Sequence, residues 1–153
     1  MIEPGDSLPA VTLEGSDGPL ALAARGRPLV LYFYPKDDTA GCTREAQDFS
    51  ALLPEFEALG ADVLGVSKDN AAKHRKFTEK YDLTVPLATD DGTVMEAFGV
   101  WVEKQLYGRR YMGIDRSTFL FDAEGKLFRA WRKVRVPGHA EAVLAAAREM
   151  LGR

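Results

Sequence analysis

PLVLYFYPKDDTAGCTREAQDF, residues 28–49, is the stretch that decides the fold. Its first part is a run from Leu29 to Tyr34 that is apolar at every position. A strand with both faces apolar belongs in the middle of a sheet covered on both sides. From Cys42 to Leu59 the pattern becomes helical, with Phe49, Leu52, Leu53 and Phe56 on one inner face. Pro54 is expected to break or kink that helix.

The same alternation continues outward. Val11–Leu13 and Leu20–Leu22 flank SDG and predict an amino-terminal hairpin. ADVLGVS, residues 61–67, reads as a second buried strand, and Asp69 or Asn70 can cap a helix running through Tyr81. A short strand is expected over Pro86–Thr89 and a short helix over Thr93–Phe98. Ser117–Asp122 and Leu127–Val134 form a hairpin around AEG, and Gly138–Leu151 closes the chain as an amphipathic helix. Residues 99–114 give no clear pattern. The order predicts one α/β domain over residues 1–153, a mixed central sheet flanked by helices with an amino-terminal hairpin.

Composition narrows the function. Hydrophobic residues make up 46% and charged residues 28%, the balance of a globular chain. The apolar run at Leu29–Tyr34 is too short to cross a bilayer, and the start, MIEPGDSLPA, lacks the pattern of a secretory signal. One cysteine cannot form an intrachain disulfide, which suits a reducing, cytoplasmic setting. Net charge is −3, but residues 66–153 carry 16 basic against 12 acidic side chains. The densest basic stretch, KLFRAWRKVRV at 126–136, interleaves aromatics as a nucleic-acid patch would. With an acidic chain overall, a solvated strand whose charges block edge pairing is the preferred reading.

Cys42 is not surrounded by aliphatic side chains, as a structural cysteine usually is. It lies in the first turn of a helix after a buried strand, where unpaired N–H groups and the helix dipole favour a thiolate. Gly41 beside it lets a small substrate approach the backbone. Zinc needs about four ligands, and one Cys with two scattered His offers no ligand spacing. No cofactor is expected. A hydrolase would need a histidine base, and both His74 and His139 read as solvated surface, though neither is excluded. A dithiol oxidoreductase would need a second cysteine. A thiolate that takes one oxygen from a hydroperoxide, becoming sulfenic acid, fits what remains. Charge develops on two oxygens in that attack, so the site needs a donor such as Thr39, also a candidate N-cap, and a permanent cation, preferably arginine.

Pro35, Thr39 and Cys42 in PKDDTAGC match the P-x-x-x-T-x-x-C signature of peroxiredoxins, and the chain resembles that family. The likeness continues through CTREAQDF and returns in YGRRYMGIDRSTFLFDAEGKL, most similar to the bacterioferritin comigratory protein branch. It implies a thioredoxin-like fold and a thiol-dependent peroxidase. Pro35 would shield the sulfur, and Thr39 and Arg116 would orient the peroxide. Glu45 falls where the family often has a carboxylate that positions the arginine, though it can equally be an ordinary first-turn carboxylate.

One departure matters. Many members of this branch carry a second cysteine five residues after the first, and this chain has Gln47 there. An external thiol, whether thioredoxin, glutaredoxin or a low-molecular-weight thiol, must then resolve the sulfenic acid. The alternative role is a non-enzymatic peroxide sensor or holdase built on the same cysteine. The resemblance suits a monomer or weak homodimer, while the acidic balance and the short apolar run lead us to expect neither a nucleic-acid nor a membrane partner.

Overall fold

The computed structural model describes residues 2–16, 18–22 and 26–153. It opens with β1 (Val11–Gly15) and β2 (Gly18–Leu22), paired antiparallel as the hairpin reading expects. Asp17, inside the SDG turn, lies outside the described residues. Next come β3 (Leu29–Phe33), α1 (Ala40–Ala58), β4 (Asp62–Ser67) and α2 (Ala71–Tyr81). These are followed by β5 (Leu87–Thr89), α3 (Thr93–Phe98) and a separate hairpin of β6 (Trp101–Leu106) with β7 (Arg109–Ile114). β8 (Ser117–Phe121), β9 (Leu127–Trp131) and α4 (His139–Leu151) end the order.

Seven strands form one mixed sheet in the order β2-β1-β5-β4-β3-β8-β9. β3 runs parallel to β4 and antiparallel to β8, so both of its edges are paired. Successive side chains on a strand point to opposite faces, and β3 divides accordingly. Val30 and Tyr32 pack with α1, α4 and Phe77 of α2. Leu29, Leu31 and Phe33 pack with Val94, Met95 and Phe98 of α3. The continuous apolar run thus feeds two cores at once.

Gly65 on β4 is needed for this packing. A Cβ there would come within 2.5 Å of Cζ and 2.6 Å of the hydroxyl oxygen of Tyr32, which lies across it. Any side chain would push the ring off the sheet, and Tyr32 stacks on Phe49 of α1 at 4.6 Å between ring centroids. This contact helps seat α1, and α1 carries the cysteine.

Pro54 does not break α1, which runs from Ala40 to Ala58 with Pro54 inside it. Proline has no N–H for the carbonyl four residues back. That carbonyl belongs to Ser50, and the Thr84 hydroxyl donates to it at 3.3 Å. Ser50 Oγ in turn accepts from Thr84 N–H at 3.0 Å and Val85 N–H at 3.1 Å. A partner distant in sequence satisfies what the proline leaves open. At α2 the cap is Asn70, whose side chain accepts from Lys73 N–H at 2.9 Å, one of the two residues expected.

The basic stretch ends the sheet. β9 is an edge strand, with Arg129 exposed on it and reaching Glu149 at 3.3 Å. Arg132 turns inward and donates to the carbonyls of Phe98, Gly99 and Ile2, covering the C-terminal end of α3. These charges serve the edge and a helix end. Among the described residues no helix is long and apolar enough to cross a membrane.

Candidate active site

The site forms where the carboxyl end of β3 leads into α1, the place where open α/β sheets carry their ligand crevices. Residues 34–39 make the connection, and Thr39 stands at the N-cap position with an extended backbone. Its hydroxyl does not cap the helix, as the sequence reading allowed, but donates to the Lys36 carbonyl at 2.8 Å. The first helical hydrogen bond follows directly, from Thr43 N–H to the Thr39 carbonyl at 2.8 Å. Pro35 and Thr39 are both exposed on this connection.

Cys42 is the third helical residue of α1 and only 1% exposed. Arg116, between β7 and β8, reaches it from across the fold: Nη2 donates to Cys42 Sγ at 3.2 Å. Nη1 of the same guanidinium donates to Glu45 Oε1 at 2.7 Å. A planar fork makes two such contacts in fixed geometry, which an ammonium cannot. Gly41 lies close against the guanidinium, and a Cβ at that position would sit 3.2 Å from Nη2.

Glu45 is 1% exposed, and its Oε2 is buried without a hydrogen-bond partner. Burial pushes its carboxyl up to about 7, only partly opposed by the Arg116 charge and hydrogen bond. Burial also works against the charge on Arg116, but Glu45 and Cys42 outweigh it and hold the guanidinium above its ordinary value. Tyr32 borders the same space. Burial first, then the charges of Glu45, Cys42 and Asp37, push its phenol well above the ordinary range. Its hydroxyl, like Thr43 Oγ1, is buried with no partner. The sulfur is thus screened from solvent, with the Arg116 guanidinium directly against it.

Both histidines depart from the sequence reading, which put them on the solvated surface. Each is buried. His139 packs edge-on against Phe49 and Trp131, and its Nε2 meets Thr118 Oγ1 at 2.7 Å. Burial, reinforced by the nearby Arg116 charge, pushes it down to about 4, so the ring is neutral near pH 7. His74 meets Asp37 Oδ2 through Nδ1 at 2.6 Å and the Ala88 carbonyl through Nε2 at 3.1 Å. Polar partners far along the chain make both burials possible, and helical periodicity carries no sign of them. Among the described residues no group of three or more His, Cys, Asp or Glu could hold a metal ion.

The AhpC/TSA family model matches residues 4–130. Peroxiredoxin Bcp of Xanthomonas campestris is 50% identical over 146 residues, covering 91% of each chain. Peroxiredoxin Bcp of Bacillus subtilis is 45% identical over 152 residues and covers 97% of each. Among solved structures, the Xanthomonas campestris bacterioferritin comigratory protein, studied for alkyl peroxide reduction, superposes with a TM-score of 0.89 at 47% identity, covering 97% of this chain and 99% of that one. Peroxidoxin BcpB of Mycobacterium tuberculosis gives 0.85 at 34% identity, with 98% and 99% covered. The thioredoxin-like fold, the cysteine at the start of α1 and these likenesses together place the chain in the AhpC/TSA family, among the Bcp peroxiredoxins, which are thiol-dependent peroxidases.

Proposed function

We propose that residues 1–153 act as one domain that reduces hydrogen peroxide and organic hydroperoxides by a one-cysteine cycle on Cys42. The observation that carries the reading is the single guanidinium of Arg116 shared between Cys42 Sγ and Glu45. The likeness to a protein studied for alkyl peroxide reduction favours alkyl hydroperoxides among the substrates.

In the first step the Cys42 thiolate attacks the terminal peroxide oxygen. An S–O bond forms, the O–O bond breaks, and the alkoxide leaves as an alcohol after taking a proton. Arg116 offsets charge on the sulfur and on the oxygens as that bond stretches. The Thr39 hydroxyl, which donates to the Lys36 carbonyl at 2.8 Å, turns from that carbonyl to the bound peroxide in the reaction. Pro35 covers the approach on the same connection. Glu45 holds the guanidinium in register with the sulfur.

Resolution follows from the cysteine count. With one cysteine in 153 residues, an external thiol attacks the sulfenic sulfur, releasing water and leaving a mixed disulfide. A second thiol attacks that disulfide, restores Cys42 and leaves as an external disulfide. Thioredoxin, glutaredoxin and a low-molecular-weight thiol are all chemically competent, in a cytoplasmic monomer or weak homodimer. The test is peroxide consumption with each reductant supplied alone. Sustained turnover with at least one is expected, and Cys42→Ser should abolish it with the fold intact. Consumption of a single equivalent under every reductant contradicts an enzymatic cycle and favours a sensor or holdase.

A further inference from the structure

A buried polar network outside the reaction just described ties the connection before Cys42 to α2. Asp37, within that connection, is buried, and its Oδ1 accepts from the Tyr34 hydroxyl at 2.5 Å. Its Oδ2 meets His74 Nδ1 at 2.6 Å, and its own N–H donates to Asp69 Oδ2 at 2.8 Å. His74 is fixed in turn, because its other ring nitrogen meets the Ala88 carbonyl on β5 at 3.1 Å. The next residue, Asp38, is gripped from the same helix: Tyr81 donates to Oδ1 at 2.6 Å and Lys80 to Oδ2 at 2.9 Å.

Asp38 also has a φ of +59°, in the left-handed region that a non-glycine residue occupies at a cost. The chain is bent against its preference one residue before the N-cap of α1. A strained turn held by a neighbouring helix relaxes when the hold is lost. Meanwhile the sulfur it leads to is 1% exposed. At that exposure the sulfur offers almost no surface to a thiol reductant.

We infer that His74 is a positioning residue for Cys42: through Asp37 it holds residues 35–39 and the first turn of α1 in the peroxide-reactive arrangement, and its release opens the sulfur to thiols. Lys80 and Tyr81 act as an outer clasp on the same strained turn. The consequence for reduction rests on the external-thiol cycle above. The hold itself does not.

The experiment uses the reduced full chain and no reductant. Two rates are measured: labelling of Cys42 by a bulky maleimide, and single-turnover oxidation by hydrogen peroxide. His74→Phe keeps a ring but removes the donor to Asp37. It should raise labelling and lower oxidation, each by about tenfold or more, the scale of one lost hydrogen bond to a charged group. His74→Asn returns a donor near the place of Nδ1 and should fall between parent and Phe in both rates. The exposed pair Lys80→Met with Tyr81→Phe should move both rates the same way by a smaller factor, and it decides alone if the Phe variant does not fold. Any other pattern overturns the proposal, including rates within about twofold of the parent or both rates falling together, as a general loss of structure would give. Failure of the external-thiol cycle would show elsewhere, as sulfenic acid in the parent protein that no added thiol removes.

Discussion

Arg116 donates to Cys42 Sγ at 3.2 Å although the two residues stand 74 positions apart. β8 makes this possible: it pairs with β3 from Phe33↔Ser117 onward, so the residue before Ser117 comes beside the connection after Phe33. Register on the central strand thus sets the distance between cation and sulfur. Arg116→Met keeps a long side chain and removes the charge. Thiolate absorbance at neutral pH should fall, and peroxide oxidation should slow by about 10²–10³, the usual cost of losing one transition-state donor. Identical thiolate titration in mutant and parent would show that Arg116 does not act on the sulfur.

Glu45 predicts a pH effect on stability. Its carboxyl is raised by burial from 4.5 to about 7 in the folded chain, so the folded state binds its proton more tightly than the unfolded state. That contribution is complete below pH 4.5 and is lost as pH rises through about 7. Glu45→Gln cannot ionise. Parent stability should therefore decline relative to the variant across that window, and the difference should be flat on either side. His139 has the opposite sense: its folded value of about 4 lies below 6.5, so stability is lost as pH falls between those values. Because His139 is common to parent and variant, it drops out of the comparison. A denaturant series at several pH values measures it, and a pH-independent difference would contradict a buried, raised Glu45.

Ser50→Ala tests the side-chain bridge that ties α1 to the segment before β5. The substitution leaves the N–H groups of Thr84 and Val85 without their acceptor. A loss of about 0.5–1.5 kcal/mol is expected, the net worth of a typical hydrogen bond that water can partly replace. An unchanged denaturant midpoint would mean that the Ser50 side chain does not help hold α1 to Thr84 and Val85.

Much of this architecture is legible in the residues, and the exceptions share a cause. β3, β4 and α1 are long or fully buried, and their patterns are strong. The β6–β7 hairpin is not visible in the sequence because it stands apart from the main sheet and leaves Leu106, Tyr107, Tyr111 and Met112 exposed. Its turn uses Tyr107 and Gly108, both at positive φ, where Asn-Gly or Asp-Gly is the recognisable signal. The continuous α1 and the two buried histidines depend on Thr84, Asp37 and Thr118, each distant in sequence. Cys42, Arg116 and Glu45 are found together as the family resemblance implies. Arg116 has no local pattern of its own that would reveal it.

Gln47→Cys probes the mobility of the first turns of α1. Gln47 is exposed while Cys42 is buried on a helix unbroken from Ala40. Five helical residues give about 7.5 Å of rise and point the side chains apart, and a disulfide needs Cα atoms within about 7 Å. After one equivalent of peroxide the variant should form an intrachain disulfide, with less sulfinic acid, because the turn unwinds. Non-reducing peptide mapping that finds the introduced thiol free would show that the turn stays helical.

The one-cysteine cycle is tested most directly by the mass of the Cys42 peptide. The protein receives one equivalent of peroxide without thiol, and then excess thiol. The account predicts one added oxygen in the first sample and a mixed disulfide with that thiol in the second, followed by return to the free thiol. Excess peroxide in place of thiol should add two oxygens, since no cysteine within the chain intercepts the sulfenic acid. A disulfide between two copies of Cys42 as the main first product, or an oxidised peptide that no thiol restores, would contradict it.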